Sequence, residues 1–235
     1  MSLYNDLSRY VAPPASLPLS QTENPYWDIV RAIPGNALEW RFDHRWAPDW
    51  TACYTSENYI SRNEFCRRYT WAIPDPMSLE FVAEWLKPKA VEIGAGVGYW
   101  AGQLSQLGLD ILAYDIAPPD KSTENHWHAP RDENEKLLLQ TREVFFPIQE
   151  GEPPVLKGHP ARTLFLCWPP MTDMAFQCLE SYQGKRLVYI GEGSGGCTGN
   201  EAFFERLEEE WEEVASHPII QWWAINDEII VYERQ

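Results

Sequence analysis

Two acids and three glycines carry the chemistry that this 235-residue chain shows first. Glu92 closes one apolar run, Gly94, Gly96 and Gly98 follow at alternate positions, and Asp115 closes the next apolar run. A turn this dense in glycine admits positive φ and lets a ligand lie against the backbone, where a Cβ would obstruct it. A helix that starts just after the turn points unpaired N–H groups at the same ligand. A carboxylate at the end of the second strand accepts hydrogen bonds from ribose hydroxyls. Together these residues describe half of a nucleoside-binding site.

Periodicity supplies the elements that hold them. Val91 and Ile93 end a strand, Trp100, Leu104 and Leu107 recur at helical spacing, and Gly108 suits the helix exit. Residues 110–116 alternate as a second strand. The glycines read G-x-G-x-G. A dinucleotide fingerprint needs a third glycine at the sixth position, and Tyr99 stands there.

The runs VEIGAGVGYW and YDIAPP resemble the glycine motif and the following acidic motif of class I S-adenosylmethionine-dependent methyltransferases. The resemblance implies adenosylmethionine as cofactor. Gly94, Gly96, Gly98 and Glu92 would then lie beside its methionine part, Asp115 and the adjoining Ile116 at the ribose, and Glu150 toward the adenine. It also implies an α/β fold, a three-layer Rossmann-like sandwich with a seven-stranded, mostly parallel sheet. The strand over 162–168, RTLFLCW, runs into Pro169-Pro170 and resembles the family's fourth motif. The nitrogen-methylating branch carries Asn, Asp or Ser before the prolines and an aromatic after them. Here Trp168 and Met171 take those places, which marks an atypical branch. Trp168 is then expected to wall the cofactor or stack on substrate, with Pro169 and Pro170 on the substrate side. Two apolar stretches, 219–225 and 228–234, joined by Asn226-Asp227, predict the antiparallel hairpin that ends such domains. The resemblance covers 78–235. Residues 1–77 are expected to form an N-terminal arm, helices and a lid.

Other residues offer themselves for acid–base work. His126 and His128 flank Trp127 in the polar loop after Asp115, and an imidazole titrates near neutrality. A surface loop with hydrogen-bonded histidines explains them equally well. A literal G-x-G-x-x-G occurs at Gly191, Gly193 and Gly196, before an acidic helix. A glycine loop before a helix can hold an anion, but no second strand ending in an acid follows it. We read it as a substrate-side loop, with Glu192 as base or anchor and Ser194, Cys197 and Thr198 as polar contacts.

Further elements come from caps and breakers. Helices are predicted over 22–33 with Asn24 before Pro25, over 56–69, and over 78–86 capped by Ser78. Others are expected over 134–142, over 173–182 capped by Thr172, and over 201–215. A short strand interrupted by Pro147 is predicted at 145–148, and another at 186–190. The aromatic stretch 38–50, with Asp43 and His44, reads as a loop or lid.

Acids outnumber bases 35 to 19, for a formal charge of −16. Such a surface repels phosphate backbones and anionic lipid, so a small-molecule or peptide-like acceptor is expected and a nucleic-acid or membrane partner is not. The five cysteines form no CxxC pair, which argues against a disulfide scaffold or structural zinc, and fits a cytoplasmic setting with no metal. The sequence sets no oligomeric state. Two other readings stand beside methyl transfer. One is an NAD(P)-dependent oxidoreductase using either glycine loop. The other is a non-catalytic protein that keeps adenosylmethionine binding.

Overall fold

The alternation of apolar residues in the central strands decides the architecture. In β3 (Lys89–Ile93), Ala90 faces one core while Val91 and Ile93 face the other. The same split recurs in β6 (Thr163–Cys167), with Phe165 against Leu164 and Leu166. It recurs again in β7 (Arg186–Gly191), with Val188 and Ile190 against Leu187 and Tyr189. Strands apolar on both faces must be covered on both faces. Helices α3 (Pro76–Leu86) and α4 (Tyr99–Gln106) cover the first face through Leu79, Val82, Leu86, Trp100 and Leu104. Helices α5 (Met174–Ser181) and α6 (Glu201–Glu210) cover the second through Ala175, Leu179, Phe203 and Leu207.

This computed structural model describes residues 10–11, 22–33, 35–36, 62–132, 134, 136–138, 140–222 and 224–235. The lid over 38–50, with Asp43 and His44, lies outside them, as do most of the arm over 1–20 and the start of the helix expected over 56–69. The remaining strands are β4 (Asp110–Asp115), β5 (Ile148–Glu150), β8 (Trp211–Pro218) and β9 (Glu228–Arg234). The seven-stranded sheet has the order β5-β4-β3-β6-β7-β9-β8. The first four pairings are parallel, and β9 enters antiparallel between β7 and β8. The three-layer, mostly parallel sandwich is thus observed. The order reverses at β3, so the carboxyl ends of β3 and β6 flank a crevice, where ligands bind in such sheets.

The described N-terminal part begins with a two-residue ladder, β1 (Tyr10–Val11) with β2 (Gly35–Asn36). Helix α1 (Pro25–Val30) starts on Asn24, whose Oδ1 accepts from the Trp27 N–H at 3.0 Å. Tyr26, Trp27 and Val30 pack with Phe65 and Tyr69, at α2 (Arg62–Arg68), and with Val97, Tyr99 and Trp222. Asn24 also accepts from the Tyr99 hydroxyl at 2.8 Å and donates to the Pro74 carbonyl at 2.7 Å. This ties the N-terminal helix to the helix that follows the glycine turn.

Several boundaries differ from expectation. The helix predicted over 201–215 ends at Glu210, and residues 211–218 form the edge strand β8. An edge strand keeps one side in solvent, so WEEVASHP carries charge without contradiction. The stretch 219–225 is apolar because Ile219 and Trp222 are buried under the sheet's crest, not because it pairs. The expected two-residue hairpin is therefore a longer connection, although the antiparallel pairing holds. Residues 134–142 show no helix among those described. The Asp132 carboxylate accepts from the Asn134 and Lys136 N–H groups instead, a local bond that competes with helix. The short strand starts at Ile148, after Pro147, rather than ending there. Helix α3 is capped by Asp75, which accepts from Met77 and Ser78, rather than by Ser78. Helix α5 takes Asp173 rather than Thr172 as its cap residue.

Asn24→Ala removes a cap and leaves the Pro74 carbonyl without the Asn24 donor, while the Tyr99 hydroxyl keeps the Tyr26 N–H at 3.0 Å. We expect a loss of about 2–3 kcal/mol, summing a cap with one orphaned buried group. Urea unfolding with an unchanged slope tests this.

Candidate functional site

A cavity of about 650 Å³ opens at the carboxyl ends of β3, β4, β5 and β6. Its cofactor-like half is built from the residues that the sequence marks first. Gly94, Gly96 and Gly98 have φ of 77°, 56° and 70°, in the left-handed region that glycine favours. The turn is stitched to the neighbouring strand, because the Gly94 and Ala95 N–H groups both donate to the Tyr114 carbonyl. A Cβ on Gly96 would lie 2.1 Å from His128 Nε2, and one on Gly94 would lie 2.8 Å from Met174 Cε.

Asp115 holds the turn to the end of β4. Its Oδ2 accepts from the Gly96 N–H at 2.8 Å, and its Oδ1 accepts from the Ala117 N–H at 3.0 Å and from Asn125 Nδ2 at 3.3 Å. Burial pushes this carboxyl above its ordinary range, against the two backbone donors. Glu92 is buried beside it, and its Oε2 has no hydrogen-bond partner. Burial, with the Asp115 charge added, pushes Glu92 up to about 8. An unpaired buried carboxyl facing a cavity is costly unless something cationic or donating meets it. Trp100, also on the cavity, has an indole N–H that is buried without a partner.

The histidines separate sharply. His128 is buried on the cavity wall, and its Nδ1 lies 3.1 Å from the Arg67 carbonyl. A carbonyl only accepts, so Nδ1 carries the proton and Nε2 presents a lone pair toward Gly96. Burial lowers its pKa to about 4, so the ring is neutral near pH 7. His126 is exposed and does not line the cavity.

The second glycine loop corrects our reading of Glu192. Its carboxylate accepts from the Cys197 N–H and the Asn226 N–H, each at 2.8 Å. Burial pushes its pKa up, but these backbone donors outweigh that and hold it below the ordinary range. Glu192 is absent from the cavity wall and serves as a latch between two loops, so it is no general base. Ser194 is exposed and away from the cavity, while Cys197 reaches it. Glu150 is exposed off the wall, and Gly151 and Glu152 line it instead. The strand β5 ends at Glu150, and the chain that leaves it, Gly151 to Pro153, runs along the cavity wall.

Trp168 and Pro170 line the cavity, and Ile116 stands 66% exposed on the rim. Pro169 is buried off the wall, where its carbonyl accepts from the Gly199 N–H at 2.9 Å. Trp168 adopts φ of 54°, unusual for a bulky residue. Its N–H donates to the Ile190 carbonyl, and its indole Nε1 donates to Asp227 Oδ1, both at 2.8 Å. The ring stacks on Trp71 at 5.5 Å, and Trp127 meets Trp71 edge-on at 6.1 Å. The Arg62 guanidinium lies 5.1 Å from the Trp168 ring and 5.3 Å from the Trp71 ring. Sequence reasoning gave no role to Trp71, Trp127 or Asp227; twelve tryptophans suggest an aromatic-lined pocket without saying which of them line it.

No group of three or more potential metal ligands occurs among the described residues. No described helix is long and apolar enough to cross a membrane. No family model matches the chain, and neither does any curated protein. Similar solved structures exist at low identity. Magnesium protoporphyrin IX methyltransferase from Synechocystis PCC 6803, with bound SAM, is 15% identical, with a TM-score of 0.44 over 68% of this chain and 79% of that one. A tRNA (m1A22) methyltransferase candidate from Streptococcus pneumoniae is 15% identical, with a TM-score of 0.39 over 66% of this chain and 68% of that one. The PH0226 protein from Pyrococcus horikoshii OT3 is 14% identical, with a TM-score of 0.39 over 77% of this chain and 93% of that one.

Glu92 makes stability depend on pH in a defined sense. A carboxyl raised from 4.5 to about 8 on folding keeps its proton in the native state after the unfolded chain has lost it. Its contribution is therefore most favourable in acid, declines as pH rises from about 4.5 through about 8, and is level above. Glu92→Gln keeps the neutral shape and loses this slope. Its thermal midpoint relative to the parent should be higher at about pH 9 than at about pH 5, measured by melting both proteins in matched buffers.

Proposed function

We propose that this chain is an S-adenosylmethionine-dependent methyltransferase, with the cofactor in the half of the cavity built by Glu92, Gly94, Gly96, Gly98 and Asp115. The observation that carries the reading is the convergence of an orphaned buried carboxyl, a left-handed glycine turn and a tethered acid on one cavity. The residues fit the cofactor's parts. Glu92 Oε2 offers an acceptor to an ammonium group. The Gly94–Gly96 backbone lies on the cavity wall, where His128 and Met174 already press against it and leave no room for a side chain. Three protein donors reach the Asp115 carboxylate, short of its roughly four lone-pair sites, so a ribose hydroxyl can still be accepted. Exposed Ile116 offers an apolar face to a base.

When bound, the cofactor supplies a methyl group on a sulfonium: the S–C bond breaks with its electron pair left on sulfur, the acceptor's lone pair forms the new bond, and positive charge passes to the acceptor. The protein's own part is alignment and the shaping of charge. His128, neutral with its Nε2 toward Gly96, is the one sequence-marked base candidate on the wall, and we assign it first to holding the turn. We assign this machinery to the domain over 78–235, with Thr70 and Trp71 of the preceding segment on the cavity wall, and the free cysteines Cys66, Cys167, Cys178 and Cys197 fit a reducing cytoplasm.

Calorimetric titration with adenosylmethionine, adenosylhomocysteine, NADH and NADPH tests the reading. Binding of the first two alone is expected. Asp115→Asn should weaken it by about tenfold or more, as for a lost hydrogen bond to a charged group. Gly96→Ala should abolish it, because its Cβ would take the space against His128. Tighter binding of a nicotinamide nucleotide would overturn the proposal in favour of an oxidoreductase.

A further inference from the structure

We infer that the acceptor half of the cavity recognises a flat heteroaromatic molecule that is uncharged or cationic, held in a slot of Trp71, Trp127 and Trp168. This inference rests on the methyl-transfer reading above and names its substrate class.

Shape gives the first argument. Trp71 and Trp168 stack with their planes 20° apart, and Trp127 stands at 84° to Trp71. All three line the cavity, so they form two perpendicular aromatic walls. Met171, 62% exposed, and Trp127, 57% exposed, add apolar surface to the cavity wall. A planar ring fits against such walls in stacked or edge-to-face contact.

Charge gives the second. The acids on the wall are Asp115, Glu152 and Asp173, with Glu92 protonated while the site is empty, and no lysine or arginine lines it among the described residues. An anionic acceptor would meet repulsion there. Tryptophan faces attract cations, so the positive charge that transfer places on an acceptor nitrogen is stabilised where it develops. Arg62 contacts the same two rings but is not on the cavity wall, and the buried carboxyl of Asp227 bonds Trp168 on that side. The arginine thus contacts the stack without lining the cavity. Trp168 keeps its left-handed backbone because the Asp227 bond and the stack fix the ring from both ends.

The test measures binding of three probes of similar size to the full chain saturated with adenosylhomocysteine: quinoline, N-methylquinolinium and 2-naphthoate. Quinoline and N-methylquinolinium should bind, quench tryptophan fluorescence, and do so at least about tenfold more tightly than 2-naphthoate. Trp127→Ala, at an exposed position, should weaken N-methylquinolinium by about tenfold without weakening adenosylhomocysteine. Equal or tighter binding of 2-naphthoate overturns the inference, as does no binding of any probe by a chain that binds adenosylhomocysteine. Failure to bind adenosylhomocysteine itself would overturn the methyl-transfer reading and this inference with it.

Discussion

The hydrogen bond from the Gly96 N–H to Asp115 is the constraint on which the rest of the site depends. It joins the turn after one strand to the end of its neighbour, across a parallel pair in which Ile93 and Tyr114 are in register. The three left-handed glycines have no side chains of their own, so the packing of Val97 is supplemented by bonds from the neighbouring strand. Asp115 and the Tyr114 carbonyl supply those bonds. The same carboxylate accepts from Asn125, and Asn125 in turn accepts from the His128 N–H, so the loop that brings Trp127 to the cavity hangs from the same acid. Placing Glu92 beside it, buried and uncompensated, is the electrostatic consequence.

The acceptor side is organised by a different device. Here the sheet ends in a residue forced into a left-handed conformation, and the strain is held by contacts drawn from distant parts of the chain. Trp71 and Arg62 come from the N-terminal segment, and Asp227 comes from the connection before the last strand. Glu192 latches that connection to the second glycine loop. The surfaces that would touch an acceptor thus depend on three segments arriving together, while the cofactor half depends on one continuous stretch.

That contrast explains what could be read from the sequence. Residues 90–120 announce themselves because strand, turn, helix, strand and acid follow one another, and their roles depend on local spacing. The seven-stranded sheet and its inserted antiparallel strand are what the family resemblance implies, while the apolar runs alone place one strand of the last pair at 219–225 instead of 211–218. The aromatic slot does not, because Trp71, Trp127 and Trp168 share no period and meet only through the fold. Glu192 looks like a base in a glycine loop until Asn226 arrives against it. Glu150 and Glu152 differ only in which way the chain faces after β5. Residues 211–218 look helical because their polar composition is tolerated at a sheet edge, where solvent takes one side.

The most direct test of the account is the proton balance of adenosylhomocysteine binding, measured calorimetrically at about pH 6.5 in buffers of different ionisation enthalpy. Glu92 keeps its proton in the empty site, since its pKa is pushed up to about 8. An ammonium group placed against Oε2 should ionise it, so close to one proton should leave per ligand bound, and none in Glu92→Gln. Binding with no proton released by the parent chain, or the same release from both proteins, would contradict the placement of the ligand's amino-acid end against this buried acid.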